Sequence, residues 1–430
     1  MLNKLLELSK FDVGQHLGLR TKPVERTDFI IFALIFLTSL LVYFVLITVT
    51  QGAAATMSIG GVWFQSDGWR VFDDMADFDA VHFRDSVHPL FSITMIPTTN
   101  ALVFLLGIKH MTAIYIINAI LFACSNLLIY WITRLLGCSR LDAVLFCLLF
   151  STSAASVFWF TVPETYPAGC VSILACMLVL AIAPKRKRYF VLAGVFSLGT
   201  TITNWMAALV AAAMSRPLYQ AAFIAAASFA LTLAGAIFAW IVFPSPGALF
   251  IFPAAAAGES VYMTHSDSGS ILDRLGGELL TPIIAPDYKF LYNQPTGIMN
   301  SFQSTIPATV AGGDIPYIVA LSGLLYLLAA ASFHIARAPD RFSISLATVL
   351  LGQVALHLIY GEETFLYALH FAPLIVLLCA QTFKERSDHL ARAALCILIG
   401  FSAWNNLQVF QEMIDLPFRG TAEFLYRLRV

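Results

Sequence analysis

The residues best suited to chemistry lie in one acidic segment, residues 66–91, with the sequence SDGWRVFDDMADFDAVHFRDSVHPLF. Charged residues alternate there with aromatic ones, which indicates a segment on a membrane surface or beneath another loop. A carboxylate in such a cluster can act as a general base, and a guanidinium can bind phosphate. The charged and histidine residues of the segment are Asp67, Arg70, Asp73, Asp74, Asp77, Asp79, His82, Arg84, Asp85 and His88.

A second candidate group is the motif VPETYPAG, residues 162–169. It places Glu164 and Tyr166 between Pro163 and Pro167, at the end of a predicted helix. Because proline fixes the backbone dihedral φ, the two prolines limit where the acid can lie. A lone glutamate at a helix end is also common as an interfacial residue, whereas ionisable residues within membrane segments tend to be functional. We expect Glu164 and Tyr166 to contact a substrate.

A third group lies in GEETFLYALHF, residues 361–371. Glu363, Tyr367 and His370 follow the spacing i, i+4, i+7, which predicts that the three side chains share one face of a helix. Alone, Tyr367 would be an ordinary interfacial tyrosine and His370 an ordinary core histidine. Together the three predict a substrate pocket at the end of this helix.

Composition predicts the elements that position these groups. Of 430 residues, 59% are hydrophobic and only 12% charged, the mean hydropathy is +0.79 and the net charge is -1. Soluble domains carry about 25% charged residues. These values exclude a soluble enzyme, a disordered chain, a coiled coil and a basic nucleic-acid-binding protein. We predict an all-α fold, a polytopic transmembrane helical bundle of about 10–11 spans in a lipid bilayer.

The predicted spans are apolar runs that approach the ~20 residues a helix needs to cross a bilayer. The first follows a hydrophilic segment without a small-residue cleavage site, so we expect an uncleaved signal anchor. The cysteines include no C-x-x-C pair, so we expect neither a disulfide framework nor structural zinc. The spans are about 29–49, 111–134, 141–160, 168–183, 189–214, 218–243, 316–336, 342–360, 366–383 and 390–409.

Lysines and arginines predict the orientation of these spans. With the N-terminus inside, most of them lie in the N-terminal tail and short inner loops, as the positive-inside rule expects. Residues 1–28 are then a cytoplasmic tail, 29–410 one transmembrane domain with outer loops 50–110 and 244–315, and 411–430 an outer tail. We therefore expect a multi-pass protein of the cell (inner) membrane whose site faces the periplasm or outside.

Two runs leave the topology open. Residues 189–214 either cross once or form a short hairpin broken near Thr200–Asn204. Charge parity favours the hairpin, although the run is short for two passes of about 20 residues each. Residues 89–108 are apolar enough to span, but a span there would reverse every later loop. We therefore expect a juxtamembrane or re-entrant helix on the outer side.

The order of these features resembles the GT-C superfamily of membrane glycosyltransferases, especially its branch of protein mannosyltransferases and lipid A aminoarabinose transferases. FDAVHF (78–83) and VHPLF (87–91) are similar to the acid-plus-HPPL segment of that branch, and LLGCSRLDAVLFCLLFSTSA (135–154) is similar to its spans. The resemblance covers about residues 29–205. It implies a GT-C-like fold with an outer juxtamembrane helical loop, and an inverting sugar transfer from a polyprenyl-phosphate-linked donor.

The resemblance does not place the catalytic acid. The usual two-acid motif is absent from the loop, and Leu90 stands where the family has its second proline. Asp67 fits the general base because it follows the first span closely and precedes Arg70. Asp79 fits by its local match to the family segment. Of the two we favour Asp67.

The resemblance also implies roles for other residues. The donor phosphate would be bound by Arg84, His88 and Arg70, with Lys109 a weaker candidate. The substrate would be bound by Glu164, Tyr166, Glu363, Tyr367 and His370. The partners would be the polyprenyl-phosphate sugar and a glycan, lipid or protein acceptor, with no nucleic acid. Relatives generally need no metal, so we expect no cofactor, although a divalent cation could bind at Asp73, Asp74, Asp77 and Asp79.

Three other classes fit part of the pattern. A lipid or sugar transporter would be polytopic, but its charges should lie near mid-membrane on broken helices. An O-antigen ligase or polymerase also uses lipid-linked sugars, and its large late catalytic loop would correspond to residues 244–315. A non-catalytic scaffold of a cell-envelope complex would leave the acidic segment unexplained.

Overall fold

The protein is almost entirely helical, as the apolar runs predict. The computed structural model describes residues 26–49, 63–183, 185–260, 263, 270–291, 301–304, 314–361, 363–384 and 388–427. The predicted tail up to residue 25 and residues 50–62 of the first outer loop lie outside these. The helices are α1 (Arg26–Val49), α2 (Gly68–Ala76), α3 (Phe91–Leu106), α4 (His110–Leu135), α5 (Arg140–Thr152), α6 (Ala154–Trp159), α7 (Tyr166–Ile182), α8 (Arg188–Thr200), α9 (Trp205–Ser215), α10 (Leu218–Val242), α11 (Pro253–Ser260), α12 (Ile271–Leu280), α13 (Ile315–Arg337), α14 (Arg341–His357), α15 (Ala368–Ala380) and α16 (His389–Arg427).

One short ribbon and several tight turns complete the described fold. Strands β1 (Tyr288–Leu291) and β2 (Ser301–Ser304) pair antiparallel in the second predicted outer loop, with Tyr288 opposite Ser304. The all-α prediction therefore holds apart from this ribbon. The 3-10 turns are Phe83–Ser86, Ile202–Asn204, Thr364–Tyr367 and Gln381–Phe383.

Several helices are long and apolar enough to cross a membrane, which makes the chain a multi-pass helical membrane protein. Helices α3, α7 and α14 are also apolar but shorter, so the predicted number of spans stays a prediction. The six long segments are Thr27–Thr48, His110–Leu135, Leu218–Val242, Ile315–Arg337, Thr364–Phe383 and His389–Met413.

Ion pairs mark one end of the bundle. Asp28, near the start of α1, accepts hydrogen bonds from Tyr130 Oη (2.8 Å), Arg134 Nε (3.3 Å) and Arg140 Nε (3.1 Å) around the α4–α5 junction. We call this end of the bundle the ion-pair end and the opposite end the site end. The ion-pair end also carries Arg392–Asp142 (2.8 Å) and Lys384–Asp340 (2.5 Å).

Residues 189–214 form a helical hairpin, which confirms the interpretation that charge parity favours. The chain turns after α8, and α9 returns beside it. As a result the Arg216 guanidinium, just after α9, lies 5.0 Å from the centre of the Phe190 ring near the start of α8. At ~1.5 Å per residue, each arm is about 20 Å long or shorter. The hairpin tip nevertheless reaches the site end, where Leu90 N donates to Gly199 O at 2.8 Å.

Two predicted segments end differently from expectation, and a third, residues 89–108, is a helix as expected. The span 141–160 is broken at Ser153, because the Ser153 side chain caps α6 by accepting from Ser156 N at 3.3 Å. Helix α16 continues through Arg427, so the outer tail predicted at 411–430 is helical where the structure describes it. The run 89–108 is the helix α3, which ends at Gly107, whose φ of +64° suits glycine.

Candidate functional site

A strained turn holds Asp67 at the site end. Phe64 and Gln65 have φ of +47° and +60°, a conformation that costs non-glycine residues about 1–2 kcal/mol each. Ser66 N closes the turn on Trp63 O at 2.7 Å. Backbone strain of this kind is concentrated at functional sites. The fully buried Phe64 ring anchors the turn against Phe158, Trp159 and Phe365, at centroid distances of 5.8, 6.2 and 4.8 Å.

Asp67 and Glu164 lie side by side, although 97 residues separate them in sequence. Asp67 N donates to Glu164 Oε1 at 3.0 Å, and the Asp67 carboxylate pairs with Arg70 Nε at 3.2 Å. The Asp67 side chain is 55% exposed, whereas Glu164 is buried. Burial raises the pKa of Glu164 to about 7, against an opposing effect of Arg70. Two adjacent carboxyl groups in such unlike environments can divide the roles of base and proton donor.

Arg70 connects Asp67 to a buried acid–histidine pair. Its Nη1 lies 2.5 Å from Asp74 Oδ2, and Asp74 Oδ1 lies 2.9 Å from His82 Nδ1. Burial opposes a charge on His82, but the hydrogen bond to Asp74 raises the pKa of His82 above its ordinary value. Both Asp74 oxygens are thus engaged, and His82 N anchors the segment to Ser245 O at 3.0 Å. This network positions Arg70 and, through it, Asp67.

The remaining acids of the segment do not converge on Asp67. Asp79 is exposed in the turn after α2, where its backbone N donates to Asp77 Oδ1 at 2.9 Å. Asp85 accepts from Ser92 Oγ at 2.7 Å, and burial raises the pKa of Asp85 to about 7. Among the described residues, no three His, Cys, Asp or Glu side chains are placed to share a metal ion. The geometry therefore favours Asp67 over Asp79 as the candidate base.

Arg84 contacts the loop that follows α10, which the sequence predicts to be the second outer loop. Its Nη1 lies 2.6 Å from Glu259 Oε1 at the end of α11, and the Tyr360 hydroxyl donates to the other Glu259 oxygen. Burial disfavours the charge on Arg84, but Glu259 and Tyr360 raise its pKa. A phosphate that binds Arg84 must therefore compete with Glu259, a residue that no local sequence signal singles out.

His88 is a neutral acceptor in this geometry. Its Nδ1 lies 2.8 Å from Thr200 O, and since a carbonyl only accepts, Nδ1 must carry the proton. Burial, reinforced by Arg84 and Arg70, holds the pKa of His88 well below its ordinary value. Nε2 can then accept but not donate a hydrogen bond. His88 thus fastens the segment to the hairpin tip, whereas the predicted phosphate contact needs a protonated ring.

Of the three residues predicted from the motif 361–371, two, Tyr367 and His370, lie beside Tyr166. The ring of Tyr166 lies 5.9 Å from that of Tyr367 and 5.5 Å from that of His370. The prediction that Glu363 shares their face is wrong, because a 3-10 turn precedes α15 and Glu363 caps it. Its carboxylate accepts from Phe365 N at 3.3 Å and from Ser304 N at 3.0 Å.

Two further polar residues lie beside His370 and were missed in the sequence. The His357 ring stacks on Tyr367 at 4.1 Å and lies 6.0 Å from the His370 ring. Gln353, one helical turn before His357 on α14, donates from Nε2 to Asn204 Oδ1 at 3.3 Å. Their i, i+4 spacing in an apolar run is a signal that could have indicated a buried polar face.

An apolar groove runs beside this end of the bundle, between α3 and α4. Its volume is about 530 Å³. Its walls are aliphatic side chains, a helix-internal proline and one uncharged polar residue, Thr98, so a hydrocarbon chain would meet no charge there. The lining includes Pro97, Ala101, Leu102, Leu105, Ile117 and Leu121.

Comparisons with protein-family models, curated proteins and solved structures find no match to this chain. Functional assignment therefore depends on the geometry of the site itself.

Proposed function

We propose that this chain is a membrane glycosyltransferase that moves a sugar from a polyprenyl-phosphate-linked donor to an acceptor hydroxyl. The observation that carries the proposal is the placement of Asp67: an exposed carboxylate, fixed by a strained turn and Arg70, beside the buried Glu164. Such fixed positioning is what a general base requires. The resemblance of residues 29–205 to GT-C enzymes points the same way.

In the proposed reaction, Asp67 takes the proton of the acceptor hydroxyl while that oxygen attacks the anomeric carbon. The bond from this carbon to the phosphate oxygen breaks, and the lipid phosphate leaves with the electron pair. Attack opposite the leaving group inverts the anomeric configuration. Arg84, and Arg70 at the edge of the site, supply positive charge for the departing phosphate. The groove between α3 and α4 would hold the isoprenoid tail.

The orientation belongs to the same proposal. Nucleotide sugars stay inside the cell, so a transferase facing the periplasm or outside needs a donor whose carrier lies in the bilayer. The distribution of Lys and Arg supports placing the site end outside.

The direct test is transfer by purified protein from a labelled polyprenyl-phosphate sugar to glycan, lipid and protein acceptors. Asp67→Asn should abolish transfer while the protein stays folded in detergent. The matched control is Asp314→Asn, an exposed aspartate whose side chain forms no cap hydrogen bond on α13. Full activity of Asp67→Asn, with loss in Asp79→Asn, would move the base to Asp79.

A transporter is the second candidate, because the broken hairpin tip carries Asn204 into the buried polar residues. Uptake of the lipid-linked or free sugar into proteoliposomes, with no transfer to any acceptor, would favour that function.

A further inference from the structure

Three buried side chains near Tyr166 and Tyr367 have polar atoms that hydrogen-bond to no other described residue. These atoms are Gln353 Oε1 and both ring nitrogens of His357 and His370. The three residues are between 0% and 3% exposed. We call Gln353, His357 and His370 the polar cluster. Buried polar groups nearly always have hydrogen-bond partners, so these five atoms would be satisfied by a bound ligand or by buried water.

The surroundings fix these side chains in place. Asn204 is fully committed, since its Nδ2 donates to Gly169 O and Ser172 Oγ, both at 3.3 Å, and its Oδ1 accepts from Gln353. A Cβ on Gly169 would lie 2.9 Å from His370 Nε2 and 3.2 Å from Asn204 Nδ2, so a side chain at this position would displace the imidazole. Hydrogen bonds and close packing therefore fix the orientation of the side chains in the polar cluster.

Arg274 fixes the other side of the cluster. Its guanidinium donates to the carbonyl oxygens of His357, Leu358 and Gly361 at 2.7–2.9 Å, which closes the end of α14. The Arg274 charge is thus directed at backbone carbonyls. Among the described residues, no charged side chain hydrogen-bonds to the cluster.

The chemistry of the cluster matches hydroxyl groups. A neutral imidazole offers one donor and one acceptor, and the glutamine oxygen offers an acceptor. A sugar hydroxyl both donates and accepts, so it can satisfy either. The half-buried rings of Tyr166 and Tyr367 give an apolar sugar face a surface to lie on. An ammonium or carboxylate group would lose its hydration without gaining a counter-ion.

We infer that Gln353, His357 and His370 form a subsite for an uncharged, hydroxyl-rich sugar ring, so that the transferred sugar is a neutral hexose or pentose. The claim that this sugar is transferred rests on the proposed function, whereas the claim that the subsite binds a sugar does not. The cluster adjoins Tyr166, two residues after Glu164, so a sugar seated there lies next to the Asp67–Glu164 pair.

Binding is tested without any lipid donor or turnover. Thermal unfolding of the full-length protein in detergent is measured with millimolar methyl hexoside, methyl pentoside, methyl hexosaminide or methyl hexuronide. We expect the two neutral glycosides to raise Tm and the two charged ones to bind about tenfold more weakly or not at all. Equal or stronger binding of a charged glycoside would overturn the inference. The absence of a Tm shift with every glycoside would also overturn it, and would mean that water is the partner of these polar atoms.

Variants then locate the subsite. Gln353→Leu and His370→Phe keep the side-chain bulk but remove the polar atoms, and should abolish the shift. Gln353→Glu should move the preference toward the amino sugar. Thr348→Ala, on the exposed face of α14, is the matched control. Retained discrimination in folded Gln353→Leu and His370→Phe would refute the subsite. Neutral-sugar binding without transfer from any donor would instead refute the proposed reaction and leave the subsite standing.

Discussion

Replacing Glu259 with glutamine tests whether Arg84 serves the donor phosphate. In the structure, the Glu259 carboxylate occupies Arg84 at 2.6 Å and also accepts from Tyr360. The side chains of Arg84 and Glu259 are only 17% and 15% exposed, so solvent screens the pair weakly. In the proposed reaction, a donor phosphate would have to displace this carboxylate before it could reach the guanidinium.

The size of the effect follows from the charge that is removed. Hydrogen bonds to charged groups contribute about 1.5–3 kcal/mol, and neutral ones about 0.5–1.5 kcal/mol. Glu259→Gln should therefore weaken the competitor by about 1–1.5 kcal/mol, which is roughly a five- to tenfold gain in donor affinity. Since Asp67 is untouched, the chemical step should keep its rate.

The assay is donor saturation with a labelled polyprenyl-phosphate sugar, which separates KM from kcat. Tyr360→Phe is the matched control: it removes one hydrogen bond to Glu259 but leaves the carboxylate on Arg84, so KM should not fall. A higher KM in Glu259→Gln would show that Glu259 orders the phosphate site instead of competing for it, and the reasoning would be refuted.

Three further predictions concern packing, pH and metal. Gly199→Ala should destabilise the protein by about 1–3 kcal/mol and lower activity, because its Cβ would lie 2.6 Å from Leu90 Cδ1; an unchanged Tm would contradict this. Burial raises the pKa of Glu278 to about 8, so this carboxyl keeps its proton in the folded state and loses it more easily when unfolded. Stability should fall as pH rises from about 4.5 to 8, by up to about 3–5 kcal/mol, and Glu278→Gln should flatten that dependence in pH-dependent unfolding. Transfer should persist in EDTA, since Arg70 and His82 occupy the Asp74 oxygens; loss of activity restored by a divalent cation would contradict it.

The helical architecture could be predicted because apolar runs and loop charges are local properties of the sequence. Charge parity favoured a hairpin broken near Thr200–Asn204 over a single crossing, and the chain turns there. The candidate residues Asp67, Arg70, Glu164 and Tyr166 lie at one end of the bundle for the same reason. Once each helix has a direction, the segments that leave from the same end must meet.

The contacts within the site depend on long-range pairs and could not be predicted. Glu363 turns to Ser304 on β2, 59 residues away, and Arg84 meets Glu259, 175 residues away. No local spacing encodes either pair. The protonation of His88 follows from one backbone carbonyl, Thr200 O, whose position depends on how the hairpin packs.

The polar groups at the two ends of the bundle differ, and this difference helps to decide between a transferase and a transporter. At the ion-pair end, Asp28 takes three donors, and Asp142 and Asp340 each hold a cation, so these charges satisfy one another. At the site end, the Asp67 carboxylate is exposed although it pairs with Arg70, and five buried side-chain atoms of the polar cluster have no hydrogen-bond partner among the described residues. A carrier must offer its substrate polar groups along a route to both ends. Polar capacity gathered at one end instead suits an enzyme that receives its substrate, and releases its product, on one face of the membrane.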